Sequence, residues 1–334
     1  LKELNVTGID AFPRATKHID GMIEVIQALK KKDIAYELGD GVYFDVSKDE
    51  DYGKLSNRDP EQMEAGARLE PNAGKRNPGD FALWKSKPGE PKEVQYDSPF
   101  TCGRGRPGWH IECTCMAFAL LGETLDIHGG GLDLQFPHHE NELAQSESWT
   151  GKPFARVWMH NGLLKLKSGK MAGSLGNVLN VADALKAVGG DVLRFFVLST
   201  HYRSPIDLGD WEPKAGSVPS GLESVKSALR AFYQFFDRYQ EQTGLSFYAL
   251  DALPAAEFRE SGDLGKEFSR LMDDDFNTGG AVGVMFQTLN EAKATTGTAL
   301  ANAGRQLRTM ANILGLFWAP VSYTHLTLPT NREV

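Results

Sequence analysis

Cysteine is scarce in this chain: Cys102, Cys113 and Cys115 are the only three among 334 residues. An odd number cannot close an even disulfide framework, so the sequence points to a reducing, cytoplasmic setting. Long apolar runs are missing too. No stretch of about 18 apolar residues occurs, which implies no membrane-spanning helix. No charged-then-apolar segment of the secretory kind opens the chain. Basic residues do not dominate either: 36 Lys and Arg stand against 44 Asp and Glu, a formal net charge of −8. That balance excludes a surface that coats nucleic acid generally, yet leaves room for a local basic track. The remaining composition, 41% hydrophobic and 24% charged, is ordinary for a soluble globular protein. The length suffices for two or three domains with substantial cores.

One region is dense in chemistry. Gly108-Trp109-His110-Ile111-Glu112-Cys113 is followed, at 128–142, by a glycine triplet and the run Phe136-Pro137-His138-His139-Glu140-Asn141-Glu142. If Pro137 opens a helix, His138 and Glu142 lie on one face, one turn apart. With Cys113 they form a thiolate, imidazole and carboxylate set that suits zinc and leaves a coordination position open. By itself the pattern is weak. One cysteine and a distant His-x-x-x-Glu fit equally a buried thiol beside an ordinary charged helix face.

Periodicity organises the rest. Ile19, Met22, Ile23, Ile26 and Leu29 recur at helical spacing, ending in Lys30-Lys31-Lys32, where the helix dipole favours cations. Residues 41–46 read as a short strand. Residues 52–95, polar and rich in Gly, Pro and Lys, read as a loop-heavy insertion. Trp109 to Leu121 reads as a helix and Leu125 to His128 as a buried strand, which places His128, Gly129–Gly131 and Asp133 where open α/β sheets bind ligands. Leu222, Val225, Leu229, Phe232, Phe236 and Tyr239 form a helical stripe whose aromatics belong in a core. Asp274-Asp275-Phe276-Asn277 reads as the cap of a further helix through Val284, Phe286 and Leu289, and a last one covers about 299–316.

Arg106 to Cys113, together with His128-Gly-Gly-Gly-Leu-Asp-Leu-Gln-Phe-Pro-His-His-Glu-Asn-Glu142, closely resembles the cysteinyl-tRNA synthetases, a family of class I aminoacyl-tRNA synthetases. Similar agreement is carried by Lys75-Arg76-Asn77-Pro78, Asp80-Phe81-Ala82-Leu83-Trp84-Lys85, Trp158-Met159-His160 and Lys170-Met171. Ser174-Leu175-Gly176-Asn177, His201-Tyr202-Arg203-Ser204 and Met272-Asp273-Asp274-Asp275-Phe276-Asn277-Thr278 continue it in family order. The resemblance implies an α/β fold: part of a class I synthetase Rossmann-like catalytic domain, its parallel sheet split by an insertion, followed by a C-terminal α-helical bundle. It divides the chain into 1–95 (insertion and start of the catalytic region) and 96–165 (second half of that domain, with the zinc site). There follow 166–215 (signature loop and stem-contact region) and 216–320 (bundle of the anticodon-binding type). Residues 321–334, Thr-rich and unlike the family, read as a non-native tail. The start at Leu1, already inside a family-like segment, reads as an internal fragment that is inactive alone.

The same resemblance assigns roles. Cys113, His138 and Glu142 match three zinc ligands, the fourth being a cysteine upstream of residue 1. One zinc ion per chain would take the substrate sulfur as a further ligand, preferring soft thiolate to the hydroxyl of serine. Trp109, His128 and Asp133 match positions beside the amino acid, Asp133 receiving its α-ammonium. His160 and Gly162 resemble the stretch lining the adenine pocket, and Lys170, Met171 and Ser174 the loop serving the triphosphate, with Lys170 and Ser174 in catalytic positions. The substrates implied are L-cysteine, ATP with Mg2+, and tRNA(Cys). Two departures stand out. The family's His-Ile-Gly-His-type turn is absent, and Gly173 replaces the second lysine of its Lys-Met-Ser-Lys-Ser loop, leaving Lys165, Lys167 or Lys170 as substitutes, or the backbone at Gly173 as a phosphate cradle. A ligase joining cysteine to an amino-sugar thiol precursor, or a non-catalytic zinc- or RNA-binding relative, shares these features. Nothing in the sequence gives His139 or Glu140 a role; Cys115 reads as core and Cys102 as a bystander.

Overall fold

The computed structural model describes residues 1–58, 74–167, 178–212 and 217–320. The chain divides into two compact units, Asp10–Asn161 and Leu1–Ile9 with Gly162–Val334. Among the described residues no helix is long and apolar enough to cross a membrane.

In the Asp10–Asn161 unit, helix α1 (Ile19–Lys31) buries Met22, Val25, Ile26 and Leu29, the stripe its spacing implies. Strands β1 (Ala35–Leu38) and β2 (Gly41–Phe44) form a hairpin whose turn is Gly39-Asp40. Strands β3 (Phe81–Lys85) and β4 (Arg106–Pro107) extend it into an antiparallel sheet of order β1-β2-β3-β4. Here the structure corrects the loop-heavy reading of 52–95. Phe81, Leu83 and Trp84 are buried, and Phe81 stacks on Phe44 at 4.9 Å. The strand is short and its flanks are polar, so composition over a wide window hides it. Gly108 donates its N–H to the carbonyl of Leu83 at 2.8 Å, fixing the entry to helix α2 (Trp109–Leu121) against β3.

Strand β5 (Leu125–Gly131) pairs in parallel with β6 (Ala155–Asn161), and helix α3 (Glu140–Thr150) connects them. A second expectation fails here. The 125–128 strand is not buried: Leu125 is, but Ile127 is 58% exposed, because β6 is the one strand paired with β5 among the described residues. Parallel sheets are normally covered on both faces, which is why an apolar run of this kind reads as buried.

The second unit is mainly helical. Strands β7 (Leu164–Lys165) and β8 (Ile206–Asp207) pair in parallel. Around them come α4 (Val181–Val188), α5 (Gly190–Leu198), α6 (Ser220–Thr243), α7 (Ala255–Arg259), α8 (Asp263–Asp273), α9 (Thr278–Ala292) and α10 (Gly297–Leu314). The aromatic stripe of α6 is core: Phe232 lies against Phe195, Phe286 and Phe317, and Phe236 stacks on Phe247 at 3.8 Å. Asn277 caps α9 by accepting from the N–H of Gly280 at 2.9 Å, as its position before the apolar run implies.

Within this core Asp191 is buried. It accepts hydrogen bonds from the Phe317 N–H (3.0 Å) and the Tyr233 hydroxyl (3.3 Å). Burial outweighs both and pushes its carboxyl from 3.8 up to about 6. A raised folded-state pKa contributes stability that is complete below about 3.8 and lost as pH rises through about 6. Urea unfolding of the chain and of Asp191→Asn at several pH values isolates the group. The stability of the wild type relative to the variant is expected to fall by about 2 kcal/mol between pH 4 and pH 7.

Candidate metal centre and substrate site

The parallel pair β5–β6 sets the floor of the site. Its register places His128 beside Trp158, Gly130 beside His160 and Gly131 beside Asn161, so the strands end together at the edge where α/β sheets receive ligands. A side chain is excluded at Gly130 for a reason. A Cβ there would lie 2.9 Å from Cε1 of the buried His139 ring. The glycine makes room for an imidazole.

From β5 the chain makes a short turn at Leu132–Leu134 and a wide helical turn at Gln135–His139, broken by an extended Phe136 (φ −136°, ψ 132°). Regular helix begins at Glu140 rather than at Pro137. His138 and Glu142 therefore straddle a helix junction, yet Nε2 of His138 still lies 3.5 Å from Oε2 of Glu142.

Cys113 arrives from the second turn of α2. The ligating atoms of Cys113, His138 and Glu142 all lie within 4.8 Å of one another. Glu142 has no solvent exposure, and its Oε1 has no hydrogen-bond partner. Its other oxygen faces three imidazoles, with Nε2 of His128 at 3.0 Å, of His138 at 3.5 Å and of His139 at 3.9 Å. Burial, with the charge of Glu142 next, pushes the Cys113 thiol from 9.0 up to about 11. Burial likewise holds His138 below the ordinary imidazole range, in the neutral form a metal requires. A thiol, a neutral imidazole and a fully buried carboxylate, one of whose oxygens has no hydrogen-bond partner, are a donor set fit for a divalent cation such as zinc. His128, His139 and Glu142 form a second convergent group that shares the carboxylate.

The other expected residues fall out differently. Trp109 is 55% exposed, not core, with its ring 4.4 Å from that of His138 at a 31° tilt. His128 is committed to Glu142. Asp133 is exposed in the turn after β5. His160, on β6, bonds through Nε2 to Nδ1 of His139 at 2.8 Å. Gly162 belongs to the other unit, where its N–H donates to the Tyr202 carbonyl at 2.6 Å and a Cβ would lie 2.1 Å from the Ser204 carbonyl oxygen. Lys170, Met171, Gly173 and Ser174 lie outside the described residues. Cys115 is buried in the core and Cys102 is a free, half-buried thiol.

Three residues without a sequence-based role belong to this region. His139 is buried between His128 and His160, and burial with those imidazoles drives it down to about 3. His110 meets His138, Nδ1 to Nδ1, at 3.0 Å. Glu140 is fully buried and accepts the N–H groups of Gly53 (3.1 Å), Leu55 (3.3 Å) and Ser56 (2.7 Å). With Tyr52 donating to Asn141 at 2.6 Å and Arg58 4.5 Å above the Phe136 ring, it straps residues 52–58 onto the ligand-bearing segment. The signal for Glu140 was its place in a dense polar run; the signal for its partners was nil.

Comparison with known proteins follows from this geometry. The tRNA synthetases class I (C) catalytic domain matches residues 1–214, and the DALR domain matches residues 267–318. The chain belongs to the class I (C) tRNA synthetases. A cysteine–tRNA ligase of Thermodesulfovibrio yellowstonii is 42% identical over 332 residues, covering 95% of this chain and 65% of that protein. Those of Pelotomaculum thermopropionicum and Geobacter sulfurreducens are each 46% identical, over 94% and 91% of this chain and 64% and 62% of their own lengths. The chain thus spans just under two thirds of these relatives. Mycobacterium tuberculosis methionyl-tRNA synthetase in complex with methionyl-adenylate shares the fold. Its TM-score is 0.56 at 13% identity, covering 94% of this chain and 74% of that one.

The Glu140 strap in this synthetase chain is directly testable. Glu140→Ala removes an acceptor of three buried or half-buried N–H groups and is expected to destabilise the Asp10–Asn161 unit by about 3 kcal/mol, the scale of charge-assisted hydrogen bonds. Amide exchange should accelerate at Gly53, Leu55 and Ser56. Unchanged protection there would refute the strap.

Proposed function

We propose that this chain serves the ATP-dependent attachment of L-cysteine to tRNA(Cys) through a cysteinyl-adenylate, with zinc at Cys113, His138 and Glu142 selecting the thiol. The observation that supports the zinc assignment is the fully buried carboxylate of Glu142, whose Oε1 has no hydrogen-bond partner, with one of its oxygens within 4.8 Å of both the Cys113 thiol and the His138 imidazole. The names of the relatives, and the helical region from 215 on, favour tRNA over an amino-sugar as acceptor.

Zinc held there supplies a soft acceptor that prefers the sulfur of cysteine to the oxygen of serine. The chain's own residues do the rest by placement. His128 holds one oxygen of Glu142 in position. Trp109 covers the outer face of His138 and limits water beside the bound side chain. Asp133 offers its exposed carboxylate to the α-ammonium. His160 serves the adenine. Lys170, Met171 and Ser174 serve the triphosphate of ATP·Mg2+. The substrate carboxylate, so oriented, attacks the α-phosphorus and pyrophosphate leaves. The terminal ribose hydroxyl of tRNA then attacks the acyl carbon and AMP leaves. Both steps depend mainly on positioning and on stabilising charge.

The test is pyrophosphate exchange by the full-length enzyme together with its metal content. One zinc per chain is expected, removed by Cys113→Ser, with exchange that depends on cysteine and not on serine. Zinc content indifferent to Cys113→Ser sinks the metal assignment, and exchange indifferent to cysteine sinks the activity. Asp133→Asn is expected to raise the cysteine Michaelis constant by about 10- to 100-fold, the scale of a hydrogen bond to a charged group, with that for ATP unchanged.

A further inference from the structure

We infer that His110 is a positioning residue: it fixes the tautomer of His138, and with it the nitrogen that His138 presents to a metal. The inference rests on the zinc reading of Cys113, His138 and Glu142. His110 and His138 are 8% and 4% exposed, and their Nδ1 atoms lie 3.0 Å apart. Two neutral imidazoles in that geometry share one proton, so one Nδ1 donates and the other accepts. The opposite nitrogen of His138, Nε2, is the one that faces Glu142. A nitrogen that binds metal must keep its lone pair bare, so the proton of His138 sits on Nδ1 and is donated to His110. His110 then carries its own proton on Nε2.

The backbone leaves little freedom in this. His110 and Cys113 are three residues apart on α2, hence on one face of the helix. A single element therefore supplies one ligand and the group that orients another ligand from a different segment. His110 is fenced by the edge of Phe81 at 5.6 Å and by the Trp109 ring at 5.2 Å. It is not itself placed to bind the metal, because its Nδ1 is spent on His138 and it is absent from the convergent groups around Glu142. Groups that hydrogen-bond the far nitrogen of a metal-bound histidine set its ring orientation and basicity.

The test uses the purified chain, with Zn2+ measured by chelator competition and Co2+ as a spectroscopic probe. His110→Phe keeps the ring and removes the acceptor; His110→Asn places an amide oxygen near the lost Nδ1. His110→Phe is expected to weaken zinc binding roughly 10- to 100-fold and to shift the cobalt ligand-field bands, while His110→Asn retains most of the affinity. Nitrogen-15 NMR of the zinc-loaded chain should show His138 protonated on Nδ1. In His110→Phe that N–H should lose its acceptor and exchange faster with water. Wild-type affinity in His110→Phe, or an Nε2–H tautomer of His138 in the zinc-loaded unaltered chain, overturns the proposal. If His110→Phe fails to fold, the wild-type tautomer and His110→Asn decide. Cys113→Ser, run in parallel, separates the two claims. Zinc binding that survives Cys113→Ser overturns the metal site itself, whereas loss there with no effect at His110 overturns only the role of His110.

Discussion

Glu142 sets the terms for its surroundings. A carboxylate without solvent contact costs far more than a folded domain can spare unless a proton, a hydrogen-bond network or a cation answers it. Among the described residues its ion-pair partners are all histidines, and all three face the same oxygen. The other oxygen meets nothing. Burial depresses His138 and His139, so these two imidazoles do not answer the charge as cations, and the hydrogen bond from His128 reaches only Oε2 and leaves Oε1 without a partner. A divalent cation beside Cys113 and His138 resolves the imbalance with groups already in place.

Glu140 shows that burial alone does not make such a centre. It lies two residues away and is equally buried, yet three backbone N–H groups from residues 53–56 satisfy it. One carboxylate is therefore complete within the protein and serves to hold a loop, while its neighbour is incomplete and faces a thiol. His138 and His139 divide in the same way. The first shares its Nδ1 with His110 and turns Nε2 to Glu142; the second bonds His160 on β6. Adjacent residues on a helix point about 100° apart, so a dense polar run can serve two neighbouring elements at once.

This division explains what could be read from sequence. The helices α1 and α6 were legible because their apolar residues repeat at helical spacing and tertiary packing agrees with that repeat. Helix α2 was legible as a polar start with an apolar body, and α9 from the capping residues before its apolar run. The convergence of Cys113, His138 and Glu142 was only weakly signalled by ligand chemistry and a four-residue spacing and was carried by the family resemblance, and the helix itself starts later than Pro137 suggested. Strand β3 was not, since five residues among polar flanks carry little signal. Nor were the roles of Glu140 and His110. Their partners are backbone groups 84 to 87 residues away and a side chain 28 residues away, which no local pattern connects.

The departure at Gly173 bears on how the triphosphate is served. The sequence leaves Lys165, Lys167 and Lys170 as cations near it, and of these Lys165 and Lys167 lie among the described residues. Lys165 is exposed on β7, and Lys167 pairs with Asp210 at 3.1 Å. Both members of that pair are about 70% exposed, and such a surface pair is worth at most about 1 kcal/mol. A contact with phosphate is charge-assisted and worth more, so pairing with Asp210 does not withhold Lys167 from a triphosphate. Under the proposed function, Lys167 is thus a candidate to replace the lysine missing at Gly173, at the cost of a weak surface pair. The buried triad has no such latitude, because each of its ligands is held by a specific helix or turn and one oxygen of its carboxylate has no alternative partner.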